Sequence, residues 1–289
     1  MAVPRTRCSL AAPPLLFALL LAALAPSAAR GEPTRRASPA HTAKAAKALR
    51  EKLAALQERI ERGDVEGALD ALAEARALGA DAAPLAPAIE ALLKDGTRVP
   101  VALAALDALG AMRSRSSNAV IGSYLRHRSP ELRRAAARAL VETGGPEAAT
   151  ALREGLRSSD EQVRTTSAEG LGRLGVETAI DDLYKALDRG LLTAASAIGA
   201  LCRDEGCSGL ASRAGTLETA ALMAGFDKIF FRPSPLPEEL LVNLVERLRA
   251  HGRQEVEAYL ERVASRWPAT ASQRVARALA GTAAEGGGT

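Results

Sequence analysis

Aromatic side chains are scarce in this sequence. Four Phe, three Tyr and one Trp make up 3% of 289 residues, although 47% of the chain is hydrophobic. A core without large rings must be built from Ala, Leu, Val and Ile, and the shortage of strand-forming residues makes all-α the expected class. It also removes the platforms on which bases stack, which argues against nucleic acid as a partner. Histidine occurs only at His41, His127 and His251, followed by Thr, Arg and Gly, so there is no His-Glu-x-x-His metal motif. All three read as surface residues. No Gly-x-Ser-x-Gly elbow, phosphate loop or dinucleotide fingerprint is present. Asp181-Asp182 lacks the further oxygen ligands that calcium needs at set spacing. No catalytic residue, metal or cofactor is expected.

Cysteine is as rare as histidine. Cys8 lies in an amino-terminal segment that reads as a secretory signal peptide over residues 1–29. Arg5 and Arg7 form its basic start, Leu15–Ala25 is an apolar run of 11 residues, and Pro26 and Ser27-Ala28-Ala29 supply the break and the small cleavage residues. The run is short for a transmembrane helix, so the segment is either cleaved or kept as an anchor, and after cleavage no stable membrane insertion is expected. What then remains is Cys202-Arg-Asp-Glu-Gly-Cys207. In an oxidising compartment this pair reads as a disulfide that clips a short loop; the alternatives are two free thiols or half a metal site. High Ala, Arg and Gly content fits a GC-rich bacterial source and makes the periplasm, or secretion, the expected address.

Charge points the same way. The chain carries 38 Lys and Arg against 34 acids, a formal +4, and removal of Arg5 and Arg7 with the signal would leave about +2. The charges are interspersed, without the basic stripe of a nucleic-acid binder.

What the sequence does have is a period. Between residues 97 and 188 it repeats every 31 positions: Leu109, Leu140 and Leu171 share one register, Ile121, Leu152 and Leu183 another, and Leu125, Leu156 and Leu187 a third. Small residues keep step, as Ala105, Ala136 and Ser167 and as Ala108, Ala139 and Gly170. Self-similarity of this length marks a solenoid whose units cannot bury a core alone. Ser129-Pro130-Glu131 and, 31 residues on, Asp160 are helix starts, while Gly144-Gly145 and Gly175 are helix ends. The second helix of each pair is expected to be the Ala-rich one, allowing close approach of its neighbours.

The stretch SPELRRAAARALVETGGPEAATALREGLRSSDEQVRTTSAEGLGRLGVETAIDDLYKAL resembles tandem HEAT repeats of the short bacterial type. It has a capped start, Leu-Arg or Val-Arg, an Ala-rich helix ending near Leu-Gly, and a second apolar helix. The resemblance implies an α-α superhelix, a HEAT-like solenoid of antiparallel helix pairs. On this reading 30–41 is a flexible leader, 42–96 forms N-terminal hairpins, 97–231 HEAT-like repeats, 232–282 C-terminal capping helices and 283–289 a disordered tail. The N-terminal hairpins are either HEAT-like or tetratricopeptide-like. The period slips where Ile198-Gly199 follows Leu171-Gly172 by 27 residues.

Solenoids of this kind work by offering a surface. Arg133 and Arg164 recur with the repeat and are expected to bond a neighbouring repeat's loop, whereas positions that vary within the same helices are the candidates for reading a partner. These are Asp107, Arg138 and Glu169 in one register, Arg134 and Thr165 in another, and Arg173 one turn later. The expected function is a non-enzymatic exported scaffold that binds another protein, in the cell envelope, through its concave face. The alternative is an envelope enzyme or enzyme accessory with a small-ligand groove. Short HEAT-type repeats also occur in enzymes that attach bilins, a reading that the export signal and the single cysteine pair disfavour.

Overall fold

A computed structural model describes residues 39–62 and 64–281. The chain divides into two compact units, 1–45 and 46–289, and the opening of one helix is all that is described of the first. The signal peptide at 1–29, residues 30–38 of the leader and the tail at 283–289 lie outside the described residues.

Among the described residues every regular element is helical. Helix α1 (Pro39–Glu61) begins three residues inside the expected leader, with proline in the first turn, where its missing N–H removes no helical bond. Next come α2 (Val65–Leu78), α3 (Ala86–Lys94), α4 (Val99–Ala111), α5 (Asn118–Ser123) and α6 (Pro130–Thr143). The regular repeats continue with α7 (Gly145–Gly155), α8 (Glu161–Arg173) and α9 (Ile180–Asp188). The slipped region holds α10 (Ala194–Leu201), α11 (Glu205–Ala211) and α12 (Thr219–Phe230), and the chain closes with α13 (Glu238–Arg249), α14 (Gln254–Arg266) and α15 (Gln273–Ala280).

Two layers result. In one, α2, α4, α6, α8, α10 and α12 stack each on the next; α3, α5, α7 and α9 pair with them from the other side. The starts expected at Ser129 and Asp160 hold: these residues cap α6 and α8 by accepting the N–H of Leu132 and Val163, and Asp64 caps α2 likewise through the N–H of Gly67. One expectation about the pairs is corrected. The basic start and the Ala-rich run are a single helix, so the small residues line the first helix of each pair, α6 and α8. Ala135, Ala136, Ala137 and Ala139 are buried there because the next helix in the stack leaves room for a methyl and little more.

The ends of α4 and α8 are built alike. After α8 the N–H of Gly175 bonds the Gly172 carbonyl and that of Val176 the Leu171 carbonyl; after α4 Arg113 bonds Gly110 and Ser114 bonds Leu109 in the same pattern. Such a turn places one residue at positive φ. That residue is Gly175 at 70° after α8 but Arg113 at 53° after α4; at the same register after α6 stands Gly144 at 64°, in a different turn whose next residue, Gly145, is also at positive φ.

The slip has a simple physical content. A methyl on Gly110 would stand 3.3 Å from Cα of Ala139, and one on Gly172 would stand 3.1 Å from Cα of Ala197, so the helices meet at comparable closeness with four fewer residues between them. Four residues are about one turn. That shortening falls on α10, which has 8 residues where α8 has 13. Beyond it Cys202 and Cys207 are disulfide-bonded, with Cα atoms 5.1 Å apart and both side chains fully buried.

Candidate functional site

Several arginines of the regular repeats hold one repeat to the next. Arg134 Nε donates to both oxygens of Asp160 at 3.1 and 3.0 Å, and Arg133 Nη2 reaches the same carboxylate at 3.5 Å. Arg153 and Arg157 close on Asp182 at 2.7 and 3.2 Å, and Arg126 on Glu154 at 3.2 Å. Asp160 is buried and also caps α8. Burial pushes its carboxyl up, but the Arg134 hydrogen bond, the Val163 N–H, the Arg134 charge and the Gln162 N–H together hold it below the ordinary 3.8.

These contacts sort the candidate residues. Arg134 is committed to Asp160, so half of its reach is structural. Asp107 and Arg138 face each other across α4 and α6 at 3.9 Å, a loose and largely exposed pair. Arg138, Glu169 and Arg173 come together around a cleft of about 550 Å³ that Gln162 and Thr166 also line. Thr165 is half-buried and lines neither this cleft nor its neighbours. Arg133 and Arg164 differ from expectation: their guanidinium groups bond chiefly the loop ahead of their own helix, at the carbonyls of His127 and Arg128 and of Ser158.

The cleft continues past the residues singled out by their register. A second hollow shares Val141, Glu142 and Arg173 with the first, and it shares Arg113 and Glu142 with a third of about 590 Å³. That third hollow runs along the end of α6 and the beginning of α7, with Arg113, Arg115 and Arg153 on its walls and Thr143, Leu174 and Val176 among the neutral residues. A buried network backs it: Thr143 Oγ1 donates to Asn118 Oδ1 at 2.6 Å, and Asn118 Nδ2 donates to the Gly144 carbonyl at 2.9 Å. Sequence reasoning missed Arg113 and Arg115. Register alone could have found Arg113, since it stands where the following repeats have Gly144 and Gly175.

Among the described residues no group of three His, Cys, Asp or Glu lies close enough to hold a metal ion, and no helix is long and apolar enough to cross a membrane. His127 stacks on Tyr124 and accepts the Ser129 N–H at Nδ1, 3.0 Å away.

The family model described as HEAT repeats matches residues 85–172 and 123–202. Among solved structures, the complex of CpcE and CpcF of phycocyanin lyase from a Nostoc species is 17% identical with a TM-score of 0.43, over 78% of this chain and 92% of that one. An engineered protein is 19% identical with a TM-score of 0.39, over 80% and 97%. No curated protein matches the sequence. With the 31-residue period and the capped starts of α6 and α8 lying within the matched segment, residues 85–202 carry HEAT repeats, in an array that is all-helical among the described residues.

Proposed function

We propose that this chain is an exported, non-enzymatic scaffold that binds another protein along the edge of α4, α6 and α8. The observation that carries the reading is the convergence of Arg138, Glu169 and Arg173 on one groove. They occupy positions at which the repeats differ, and the residues that stitch the repeats together are others. Mixed charge at the mouth of an elongated groove suits recognition of a polypeptide, where charge complementarity sets specificity and the rate of encounter. Export rests on the signal layout of residues 1–29, and the periplasm is the proposed address.

Crosslinking in the native cells, followed by affinity capture and mass spectrometry, tests both parts. The expected product is a defined crosslinked species from the envelope fraction, with a chain that begins near residue 30. Recovery of the uncrosslinked monomer alone would overturn the scaffold reading, and a chain found in the cytosol with Met1 still attached would overturn export.

A further inference from the structure

Arg126, Arg134, Arg153 and Arg157 reach carboxylates one repeat on, and three arginines that gather on one set of clefts are used differently. Among the described residues the side chains of Arg113, Arg115 and Arg173 make no hydrogen bond or ion pair, and all three are exposed on the walls of the connected clefts described above. Their positions make the departure informative. Arg173 replaces Ala111 and Glu142 of the preceding repeats, and Arg115 stands where the next two have Pro146 and Glu177. Arg113 holds φ at 53° in the turn that Gly175 fills after α8, at a register where the intervening repeat also has a glycine, Gly144, at positive φ. A side chain at such a position is unfavourable relative to glycine. Strain of this kind persists where the side chain has a use.

We infer that this cleft binds an acidic segment of a partner protein, its Asp or Glu carboxylates received by Arg113, Arg115 and Arg173. Guanidinium groups present two parallel N–H donors that match a carboxylate, so an arginine without an internal partner is a ready receptor for one. Glu142 lies among the three, which disfavours a uniformly charged polyanion and suits carboxylates separated by neutral or basic residues. Leu174 and Val176 offer an apolar wall to the side chains between them. No aromatic ring lines the cleft, so a nucleic acid would find nothing to stack on. The inference rests on the scaffold reading and names the kind of segment that the scaffold takes.

The test uses the whole processed chain and a fluorescein-labelled peptide in which Glu alternates with Ala, read by anisotropy. Saturable binding that weakens with salt is expected. Arg113→Gly, Arg115→Ala and Arg173→Ala should each weaken it about tenfold, the loss of one charge-assisted contact. Arg98→Ala, which removes an exposed arginine elsewhere, should leave it unchanged. Arg113→Gly should lose binding without lowering the melting temperature, because it removes a strained side chain. Absence of saturable binding overturns the inference, as does equal binding by the triple variant. So does displacement of the peptide by inorganic polyphosphate, a thymidine oligonucleotide or phosphatidylglycerol vesicles at lower charge concentration than the unlabelled peptide needs. The crosslinking experiment separates the two levels. A triple variant that still captures the wild-type partner sinks the acidic cleft and leaves the scaffold standing; a wild-type chain that captures nothing sinks the scaffold.

Discussion

The regular repeats from α4 to α9 and the slipped region from α10 to α12 solve the same problem by different means. In the first, the inner helices α4, α6 and α8 stack through methyl-sized residues, and arginines reach forward to carboxylates such as Asp160 and Asp182. In the second, α10 is short and its carbonyls are bonded from the far side of the next unit: Arg232 donates to Gly199, Ala200 and Cys202 at 2.8, 3.1 and 3.1 Å. Arg253 acts likewise on the carbonyls of Ala214 and Leu217. The Tyr184 hydroxyl, raised to about 12 by burial, donates to the Gly206 carbonyl inside the disulfide loop. Side-chain pairs persist there, with Arg213 on Asp188 and Arg203 on Glu177, so the loss of a turn adds arginine cover of carbonyls from a later unit to the stitches the regular repeats use.

The sharpest way to break this contrast is at the helix crossings. A methyl on Gly199 would fall 1.9 Å from the carbonyl oxygen of Gly225, which is backbone and cannot move aside. Gly199→Ala should destabilise by about 3 kcal/mol or more, the upper end of overpacking costs. At Gly110 the nearest atom is the tip of the Glu142 side chain, which can swing away, and alanine is the better helix former. Gly110→Ala should change stability by less than about 1 kcal/mol. Denaturant midpoints would show the difference, and equal losses at the two sites would mean that the crossings are equally tight.

Removing the polar connections should cost less. Asp160→Ala removes a cap and the carboxylate that Arg133 and Arg134 share, with an expected loss of about 2–3 kcal/mol, of which about 1 is the cap. Asp160→Asn should recover the cap portion. Because the native carboxyl titrates below 3.8, its contribution is complete above the unfolded value and is lost as pH falls through the native one. The stability gap between wild type and Asp160→Asn should therefore be constant near neutrality and close in acid. Arg232→Ala should cost about 2 kcal/mol by uncovering carbonyls, with a weaker dependence on acid, since its hydrogen bonds go to carbonyls and Glu177 acts on it only through its charge.

How far the sequence reveals this molecule follows from which interactions repeat. The 31-residue period, Ser129 and Asp160 as caps, and Gly175 as a helix end are visible because each sits at a fixed offset in one strand of text. The stitches are not: Arg134 meets Asp160 26 residues away and Arg153 meets Asp182 29 residues away, offsets set by side-chain reach and helix tilt. The pairing of Arg134 with Asp160 is for that reason invisible in the register that offers Arg134 as a partner-reading candidate. Variation within a register singles out faces that packing does not dictate, and Arg138, Glu169 and Arg173 line one cleft. Arg113 needed one further step, reading an arginine against glycines of the same register as a statement about φ.

The disulfide sharpens the comparison from the other side. Replacing both Cys202 and Cys207 by Ser should cost about 2 kcal/mol, as expected for so short a loop. The loss should be local, with hydrogen exchange rising in α10 and α11 and not in α6 or α8. Uniform loss of protection would mean that the slipped region is a cooperative part of the array and not a clipped joint.

The smallest effect is expected at the Asp107–Arg138 pair. At 3.9 Å and with both side chains partly in solvent, it should contribute less than about 0.5 kcal/mol, and Arg138→Ala should leave the melting temperature nearly unchanged. A double-mutant cycle with Asp107→Ala would measure the coupling directly. A coupling comparable to the Asp160 stitches would place Arg138 among the residues that hold the array together, whereas a negligible one leaves its charge available to whatever enters the groove beside Glu169 and Arg173.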